Sequence, residues 1–254
     1  MEAPHPTLSP AGRRIEDVGK RERIPNGSTR IFDLKGYGGQ LIAGAEMTLM
    51  VAAISLVFGA AIGLIGAGAK LSRWRLLRGI ASAYTTIVRG VPELLLLLLF
   101  YFGGTVTLSR LAGRYVEVDG LSAGVFALSL VFGAYATEVF RGAILEVPRG
   151  QVEAARALGL RRLAVFRLVM LPQVWRIALP GLGNLWLVLL KDTSLISIVG
   201  LEELMRKSAI AAGVTRAPFT FYSAAALLYL AFTLVSTAVL HYAERRVGRG
   251  YGRA

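Results

Sequence analysis

The sequence predicts an all-α polytopic membrane protein with about five membrane-spanning helices and one short helix outside the membrane, between the third and fourth spans. Hydrophobic residues account for 54% of the chain and the mean hydropathy is +0.56, both high for a soluble domain. Apolar runs long enough to cross a bilayer recur along the chain. Between two of these runs lies a strongly basic stretch, residues 148–172, which is too charged to cross lipid.

Charge and cysteine content argue against several classes of function. The formal net charge of +13 would favour nucleic-acid binding in a soluble protein. In a membrane protein, however, lysine and arginine collect in cytoplasmic loops whatever the function, so we expect no nucleic-acid partner. The chain has no cysteine, and its only histidines are His5 and His241. We therefore expect no disulfide, no metal site and no catalytic triad.

The two ends of the chain differ from its middle in composition. Residues 1–38 are rich in Pro, Gly, Ser, Arg and Glu without a sustained apolar period, which predicts a flexible tail. About forty largely polar residues precede the first apolar run, too many for a secretory signal peptide. We expect a transmembrane domain over residues 39–246 and a C-terminal tail over residues 247–254.

The first span is predicted over residues 41–69. Its uninterrupted part after Glu46, residues 47–69, is 23 residues long and can cross a hydrocarbon core of about 30 Å. Four glycines crowd its second half, and small residues at helical spacing let neighbouring helices approach closely. This face is therefore expected to pack against protein. The four are Gly59, Gly63, Gly66 and Gly68.

The second span, residues 79–108, is interrupted by Arg-Gly-Val-Pro-Glu at residues 89–93. Proline disfavours helix at the preceding residue and glycine softens it further, so we predict a break or kink there. Residues 202–215 are predicted to form a loop of mixed charge. The third, fourth and fifth spans are predicted over residues 121–145, 174–190 and 219–240.

The distribution of cations predicts the orientation in the membrane. Four cations within nine residues follow the first span, which places that end of the span in the cytoplasm. With five spans, the N-terminus is then outside and the basic C-terminus inside. The N-terminal tail is also basic, but only Arg30 and Lys35 lie within the ~15–20 residues over which the rule acts. The four cations are Lys70, Arg73, Arg75 and Arg78.

The basic stretch is predicted to hold a two-turn helix on the cytoplasmic face of the membrane. Residues 151–158 are mostly good helix formers, Gly150 precedes them and Gly159 follows them, as expected for the start and stop of a helix. The stretch contains a single acid, Glu153. Five cations oppose it: Arg149, Arg156, Arg161, Arg162 and Arg167.

One side of this helix suits contact with another protein. Ala154, Ala155 and Ala157 give it a low profile that lets a partner come close. Arg161 and Arg162, just past its end, are placed to pair with acidic groups on that partner. Binding to anionic lipid is the alternative, but a lipid-bound helix sets its cations opposite a broad apolar face, which this helix lacks.

The spacing of this stretch resembles a known motif. Glu153-Ala154-Ala155, three residues, Gly159, nine residues and then Val-x-Leu-Pro at residues 169–172 is similar to the loop that marks membrane subunits of ATP-binding-cassette importers. In that family the loop docks into the ATPase subunit. The one departure is valine at position 169, where isoleucine is commoner.

Three further segments resemble the polar amino acid permeases of that importer class. They are Arg-Gly-Val-Pro at residues 89–92, Ala-Tyr-Ala-Thr-Glu-Val-Phe-Arg-Gly-Ala-Ile at residues 134–144 and Lys-Asp-Thr-Ser-Leu at residues 191–195. The first two look most similar to permeases for histidine, lysine, arginine and ornithine, or for opines. The resemblance extends over residues 36–246.

The resemblance implies a permease subunit, not an enzyme, in the bacterial cytoplasmic (inner) membrane. Such a subunit forms the path of a polar amino acid, here a basic amino acid or an opine. The implied partners are two ATP-binding subunits, a second permease subunit that is identical or related, an extracytoplasmic solute-binding protein and membrane lipid. The implied ATPase-coupling residues are Glu153, Ala154, Ala155, Gly159, Arg161 and Arg162.

The chain has no Gly-x-x-x-x-Gly-Lys-[Ser/Thr] phosphate loop. ATP is therefore expected in the partner subunit, and no cofactor in this chain. The alternatives from other classes are a membrane-embedded enzyme, which needs paired acids or histidines at one depth, and a secondary transporter, which shows inverted repeats. Only isolated acids and five unequal spans are evident here.

Charged residues in or near the spans are candidates for the substrate pathway. Each costs about 2.5–3.5 kcal/mol at mid-membrane and therefore needs a partner or a water-filled cavity. Glu46 is expected to be hydrated at the outer boundary. Glu93 is either an acid that contacts the substrate or an internal partner for Arg89.

The other candidates are expected to be mainly structural. Glu138 precedes Arg141 by three residues, on the same helix face, so we expect an ion pair between them. Lys191 and Asp192 are adjacent and lie on different faces. We expect these two to pair with other spans or with a subunit interface rather than to touch substrate.

Overall fold

The computed structural model describes residues 34–248, and all of the regular secondary structure in that range is helical. The tails predicted over residues 1–38 and 247–254 lie almost entirely outside these residues. The helices are α1 (Gly38–Lys70), α2 (Arg75–Gly90), α3 (Glu93–Ala112), α4 (Gly120–Glu146), α5 (Arg149–Ala157), α6 (Arg162–Ala164), α7 (Leu171–Asp192), α8 (Leu204–Thr215) and α9 (Pro218–Gly248). A π-helical segment, Val165–Met170, joins α6 to α7, and a 3₁₀ segment, Thr193–Val199, follows α7.

Within the described residues, five helical stretches are long and apolar enough to cross a membrane. This confirms the predicted fold class, and α5 lies between the third and fourth stretches as expected. The five stretches are Gly38–Lys70, Glu93–Ala112, Gly120–Glu146, Arg162–Val199 and Pro218–Gly248.

Two span limits differ from the prediction. The break expected at residues 89–93 divides the second span into two separate helices, because Val91 and Pro92 are extended, with ψ of 137° and 136°. Of these two helices, only α3 is long and apolar enough to cross a membrane, so the candidate span is α3 and not residues 79–108. The fourth span is longer than residues 174–190, because the π-helical and 3₁₀ segments extend α7 at both ends.

The prediction of a loop at residues 202–215 was wrong, because most of these residues form α8. Its N-terminus is capped by Glu203, whose carboxylate accepts hydrogen bonds from the backbone N–H groups of Met205 (2.9 Å) and Arg206 (2.8 Å). The Thr48 hydroxyl of α1 and the Tyr229 hydroxyl of α9 also donate to this carboxylate. Burial raises the pKa of Glu203 above its ordinary value, against the lowering effect of these four donors.

The predicted glycine face of α1 packs directly against α4. A methyl group added at Gly59 would lie 2.8 Å from the Phe132 ring, and one added at Gly63 would lie 2.6 Å from the Ala136 methyl group. Gly66 is buried against Thr137 in the same way, whereas Gly68 has open space around it. Three of the four glycines therefore let the two helix backbones approach closely.

Helix α4 lies at the centre of the bundle. It packs against α1, α2, α3 and α7, and 67% of its most apolar window is buried. Its buried side chains Leu128, Phe132 and Phe140 belong to the main hydrophobic cluster, which reaches Val147 just before α5. The most buried of the five membrane-crossing stretches therefore leads directly into α5.

The α1–α4 packing predicts that Gly63→Ala destabilises the protein, while Gly68→Ala does not. The new methyl group at position 63 overpacks the interface, which costs about 1–3 kcal/mol. At position 68 the methyl group meets no atom within 4 Å, and alanine is the better helix former. Thermal unfolding of both variants in detergent checks this: a Gly63→Ala transition at or above that of Gly68→Ala would contradict the packing described here.

Candidate functional site

Helix α5 has the limits expected from its sequence. It starts after Pro148, two residues before the predicted start, and ends at Leu158, the C-cap. Gly159 adopts φ +78°, the left-handed conformation that favours glycine. Its N–H donates to the Arg156 carbonyl (2.9 Å), and the Leu160 N–H donates to the Ala155 carbonyl (3.2 Å). These two bonds form a Schellman motif, which ends the helix sharply.

Most residues of α5 are exposed, and the helix packs against the π-helical segment at the start of the fourth membrane-crossing stretch. Glu153, Ala154, Arg161 and Arg162 are all exposed. Ala155 differs from the expectation, because its methyl group faces inward and only 6% of the residue is exposed. Ala155 therefore packs α5 against the rest of the chain in this structure.

One leucine that was not among the predicted residues extends the exposed surface of α5. Leu158, just past the end of α5, is 82% exposed. Leu163 and Leu168 are 59% and 68% exposed, but they belong to the fourth stretch that is long and apolar enough to cross a membrane.

The Val-x-Leu-Pro part of the motif coincides with a change in helix type. The Leu171 N–H donates to the Phe166 carbonyl, five residues earlier, as in a π-helix. Pro172 has no N–H to continue an α-helix, and its ring crowds the carbonyl four residues before it. The Gln173 amide, almost fully buried, donates instead to the Val169 carbonyl at 2.7 Å.

Two of the candidate acids line one cavity between α3, α4 and α7. The cavity has a volume of about 300 Å³ and brings Glu93 together with Asp192, although they are 99 residues apart in sequence. The Tyr135 ring and the Asn184 amide are its other polar groups; Asn184 was not among the predicted residues. Apolar side chains form the rest of the wall: Leu128, Val131, Phe132, Leu185, Val188 and Leu189.

Arg89 lies in an adjoining cavity of about 450 Å³, which also includes Glu93 and Tyr135 in its lining. Its guanidinium group stands over the Tyr135 ring, 5.1 Å from the centroid, at cation–π distance. Within residues 34–248 no ion pair joins Arg89 to Glu93. Arg89 is therefore not the internal partner of Glu93 in this conformation.

Glu138 forms the predicted pair with Arg141, with 2.9 Å between Nε and Oε2. Its other oxygen is paired with Lys70 at the end of α1, a partner that sequence reasoning missed. Lys70 also donates to the Thr85 hydroxyl of α2 at 2.6 Å. This cluster joins α1, α2 and α4 and leaves both Glu138 oxygens engaged.

Lys191 and Glu46 lie apart from the cavity that contains Glu93 and Asp192. Lys191 lines a cleft with Met205, Tyr222 and Tyr229, whereas Asp192 faces the cavity with Glu93, so the two adjacent residues point in different directions as expected. Within residues 34–248 neither forms the expected ion pair with another span, and pairing at a subunit interface stays a prediction. Glu46 is exposed on α1. No group of three or more potential metal ligands occurs among the described residues.

Five helices long and apolar enough to cross a membrane, a cavity that contains two carboxylates and a short exposed helix at one end are typical of a membrane transport subunit. The chain belongs to the family described as binding-protein-dependent transport system inner membrane component, whose model matches residues 56–249. It is accordingly a multi-pass inner membrane permease subunit of an ATP-binding-cassette importer and not an enzyme. Members of this family work with an ATPase and a solute-binding protein.

Relatives and solved structures cover most of the chain. It is 48% identical to the nopaline transport system permease protein of Agrobacterium fabrum, over 85% of this chain and 94% of the relative. It is 45% identical to the histidine/lysine/arginine/ornithine transport system permease protein of Escherichia coli, over 87% and 99%. The structure is similar to that of an amino acid ABC transporter with histidines (TM-score 0.74, 35% identity, covering 83% and 95%). It shares its fold with the MetNI methionine transporter (TM-score 0.66, 21% identity, covering 82% and 96%).

The charge cluster predicts that Lys70→Met destabilises the protein more than Arg141→Met. Loss of Lys70 removes the less exposed cation, whose side chain is 13% exposed against 39% for Arg141. Removal of one partner of a buried pair costs about 3–5 kcal/mol, and of an exposed pair about 1 kcal/mol or less; the part-buried site puts Lys70→Met between these limits. Thermal unfolding in detergent is the measurement, and equal shifts for the two variants would contradict the assignment.

Proposed function

We propose that this chain, paired with a second permease subunit, forms the pathway by which an ATP-driven importer takes up an amino acid with a cationic side chain or an opine. The relatives that support this substrate class are named for nopaline, octopine and histidine/lysine/arginine/ornithine transport and are 41–48% identical to this chain. An ATPase that binds to α5 would supply the driving force.

The main support for this substrate class is the cavity that contains Glu93 and Asp192. Two carboxylates face it and no cation belongs to its lining. Both acids are part-buried beside apolar walls, and within residues 34–248 neither is in an ion pair. An ammonium or guanidinium group of a substrate would supply the charge that this cavity lacks. The volume, about 300 Å³, is at the lower end of the range for small-molecule sites.

Arg89 completes the proposed pathway. Its guanidinium group lies in the adjoining cavity, and Tyr135 contacts both spaces. A guanidinium group binds carboxylates through paired hydrogen bonds, so Arg89 suits the α-carboxylate of an amino acid whose side chain points toward Glu93. Glu138 and Lys191 are assigned no contact with substrate, because the first has both oxygens engaged and the second faces another cleft.

Coupling to the ATPase is assigned to the exposed side of the α5 segment. The small side chain of Ala154 lets the ATPase come close, and Leu158 provides an apolar contact. Arg161 and Arg162 are cations that can pair with acids on the ATPase. In the proposed complex, two ATPase subunits hold the α5 helices of two permease subunits. Closure of the ATPases on ATP would move these helices together and change the access of the cavity from one side of the membrane to the other.

The proposed orientation places α5 and the α1–α2 connection in the cytoplasm. Both carry the cations that favour this side, and the same orientation puts the N-terminus outside and the C-terminus inside. The solute-binding protein then meets the opposite face, where the α3–α4 connection carries Glu117 and Asp119.

The cavity predicts that Glu93→Gln and Asp192→Asn each lower arginine uptake about tenfold, which corresponds to about 1.4 kcal/mol. Each change removes one of the charges that would hold a cationic side chain. Uptake of labelled arginine, histidine, octopine and glutamine into vesicles that contain the complete complex is the measurement. Glu46→Gln is the matched control, because Glu46 is exposed and outside the cavity. A preference for glutamine, or unchanged uptake in both cavity variants, would contradict the assignment.

The Schellman motif predicts that Gly159→Ala lowers transport several-fold while membrane insertion is unchanged. The new methyl group meets no atom within 4 Å, so the effect comes from the φ of +78°, which costs about 1 kcal/mol for an L-residue. Gly150→Ala is the control, because it also meets no atom and lies inside the helix at an ordinary φ. Co-purification of the ATPase and uptake are measured together, and full coupling in Gly159→Ala would argue against docking at this end of α5.

A further inference from the structure

A cationic cavity lies between the end of α1, the first half of α2 and the last turns of α4, separate from the cavity that contains Glu93. It has a volume of about 540 Å³, and its lining contains four cations and one carboxylate, a net charge of +3. The lining residues are Lys70, Arg75, Arg78, Gly79, Ser82, Glu138 and Arg141.

The cations of this cavity fall into two groups. Lys70 and Arg141 are held by Glu138, so they form the fixed wall of the cavity. Arg75 and Arg78 are exposed, and within residues 34–248 neither makes an ion pair or a side-chain hydrogen bond. Two guanidinium groups one helical turn apart are therefore left without an anion at the rim of a concave, positively charged site.

An apolar surface adjoins these two arginines. Trp74 is 73% exposed, Leu76 74% and Ile80 59%, all at or near the start of α2. Helix α2 is not among the stretches that can cross a membrane by themselves, and tryptophan favours the boundary between headgroups and acyl chains. The surroundings thus combine an anion site with a place for hydrocarbon, which is the pattern of an amphipathic ligand.

We propose that this cavity binds the phosphodiester headgroup of an anionic phospholipid from the cytoplasmic leaflet. Arg75 and Arg78 bind the phosphate through guanidinium hydrogen bonds, and the acyl chains lie along Trp74, Leu76 and Ile80. A zwitterionic lipid brings its own cation and adds no net charge, whereas phosphatidylglycerol or cardiolipin adds net negative charge that offsets part of the +3. The inference rests on the proposed orientation, which puts this end of α1 in the cytoplasm, but not on the proposed substrate.

The test measures lipid retention by the purified importer complex. Native mass spectrometry of the complex, taken from detergent with phosphatidylglycerol or phosphatidylcholine added in turn, counts bound lipids. We expect retained phosphatidylglycerol in the wild type and at least a fivefold loss in the double variant Arg75→Gln/Arg78→Gln. Arg110→Gln/Arg114→Gln, with the same change of charge on exposed residues of the α3–α4 region, should retain phosphatidylglycerol as the wild type does.

A second measurement separates a lipid from a small anion. Thermal unfolding of the complex is followed with added phosphatidylglycerol and, separately, with glycerol 3-phosphate at the same phosphate concentration. We expect phosphatidylglycerol to stabilise the complex and glycerol 3-phosphate not to. In Arg75→Gln/Arg78→Gln, the stabilisation by phosphatidylglycerol should be lost. Equal stabilisation by glycerol 3-phosphate, equal retention of phosphatidylcholine, or undiminished phosphatidylglycerol in the double variant would each overturn the proposal. Arginine uptake by the same variants reports on the substrate proposal separately, since neither arginine belongs to the cavity of Glu93.

Discussion

The close approach of α1 and α4 is the constraint on which the rest of the bundle depends. In lipid, helices gain little from the hydrophobic effect against one another, so association relies on close packing and on hydrogen bonds. Gly59, Gly63 and Gly66 allow that approach because no side chain separates the two backbones. Helix α4 carries Phe132 and Tyr135 into the acidic cavity and leads directly to α5 at its other end. A change at the α1–α4 interface is therefore felt at both functional regions.

Two carboxylates, the part-buried Glu138 and the buried Glu203, each join several helices of this bundle, by different chemistry. Glu138 is neutralised by two cations and ties α1 to α2 and α4. Glu203 is surrounded by neutral donors and by the N-terminus of α8, and it ties α1 to α8 and α9. At Glu138, opposite charges compensate for the hydration that the carboxylate loses. At Glu203, hydrogen bonds and the dipole of α8 do so. Glu93 lies at the N-terminus of α3, but within residues 34–248 neither Glu93 nor Asp192 is in an ion pair, which leaves both acids available to a cationic ligand.

Local signals in the sequence were sufficient for the features that depend on neighbouring residues. The presence of five spans follows from the apolar runs, although the limits of the second and fourth differ; the break before α3 follows from Pro92, and the end of α5 follows from Gly159. Features created by tertiary contact were not predictable in this way. The pairing of Lys70 with Glu138 joins residues 68 positions apart, and Glu93 meets Asp192 only because α3 and α7 both pack on α4. Helix α8 was missed because its capping residue is a glutamate, which is uncommon in that position, and because its burial depends on Thr48 and Tyr229.

The π-helical segment between α5 and α7 provides a way for α7 to rotate relative to α5. An α-helix advances 100° per residue, and a hydrogen bond that spans five residues instead of four accommodates one extra residue. Conversion of Val165–Met170 between the two patterns would turn α7 by about this angle relative to α5 while leaving both helices intact. A push on α5 could then become a twist of the fourth span, with Asp192 at the far end of the same continuous helix.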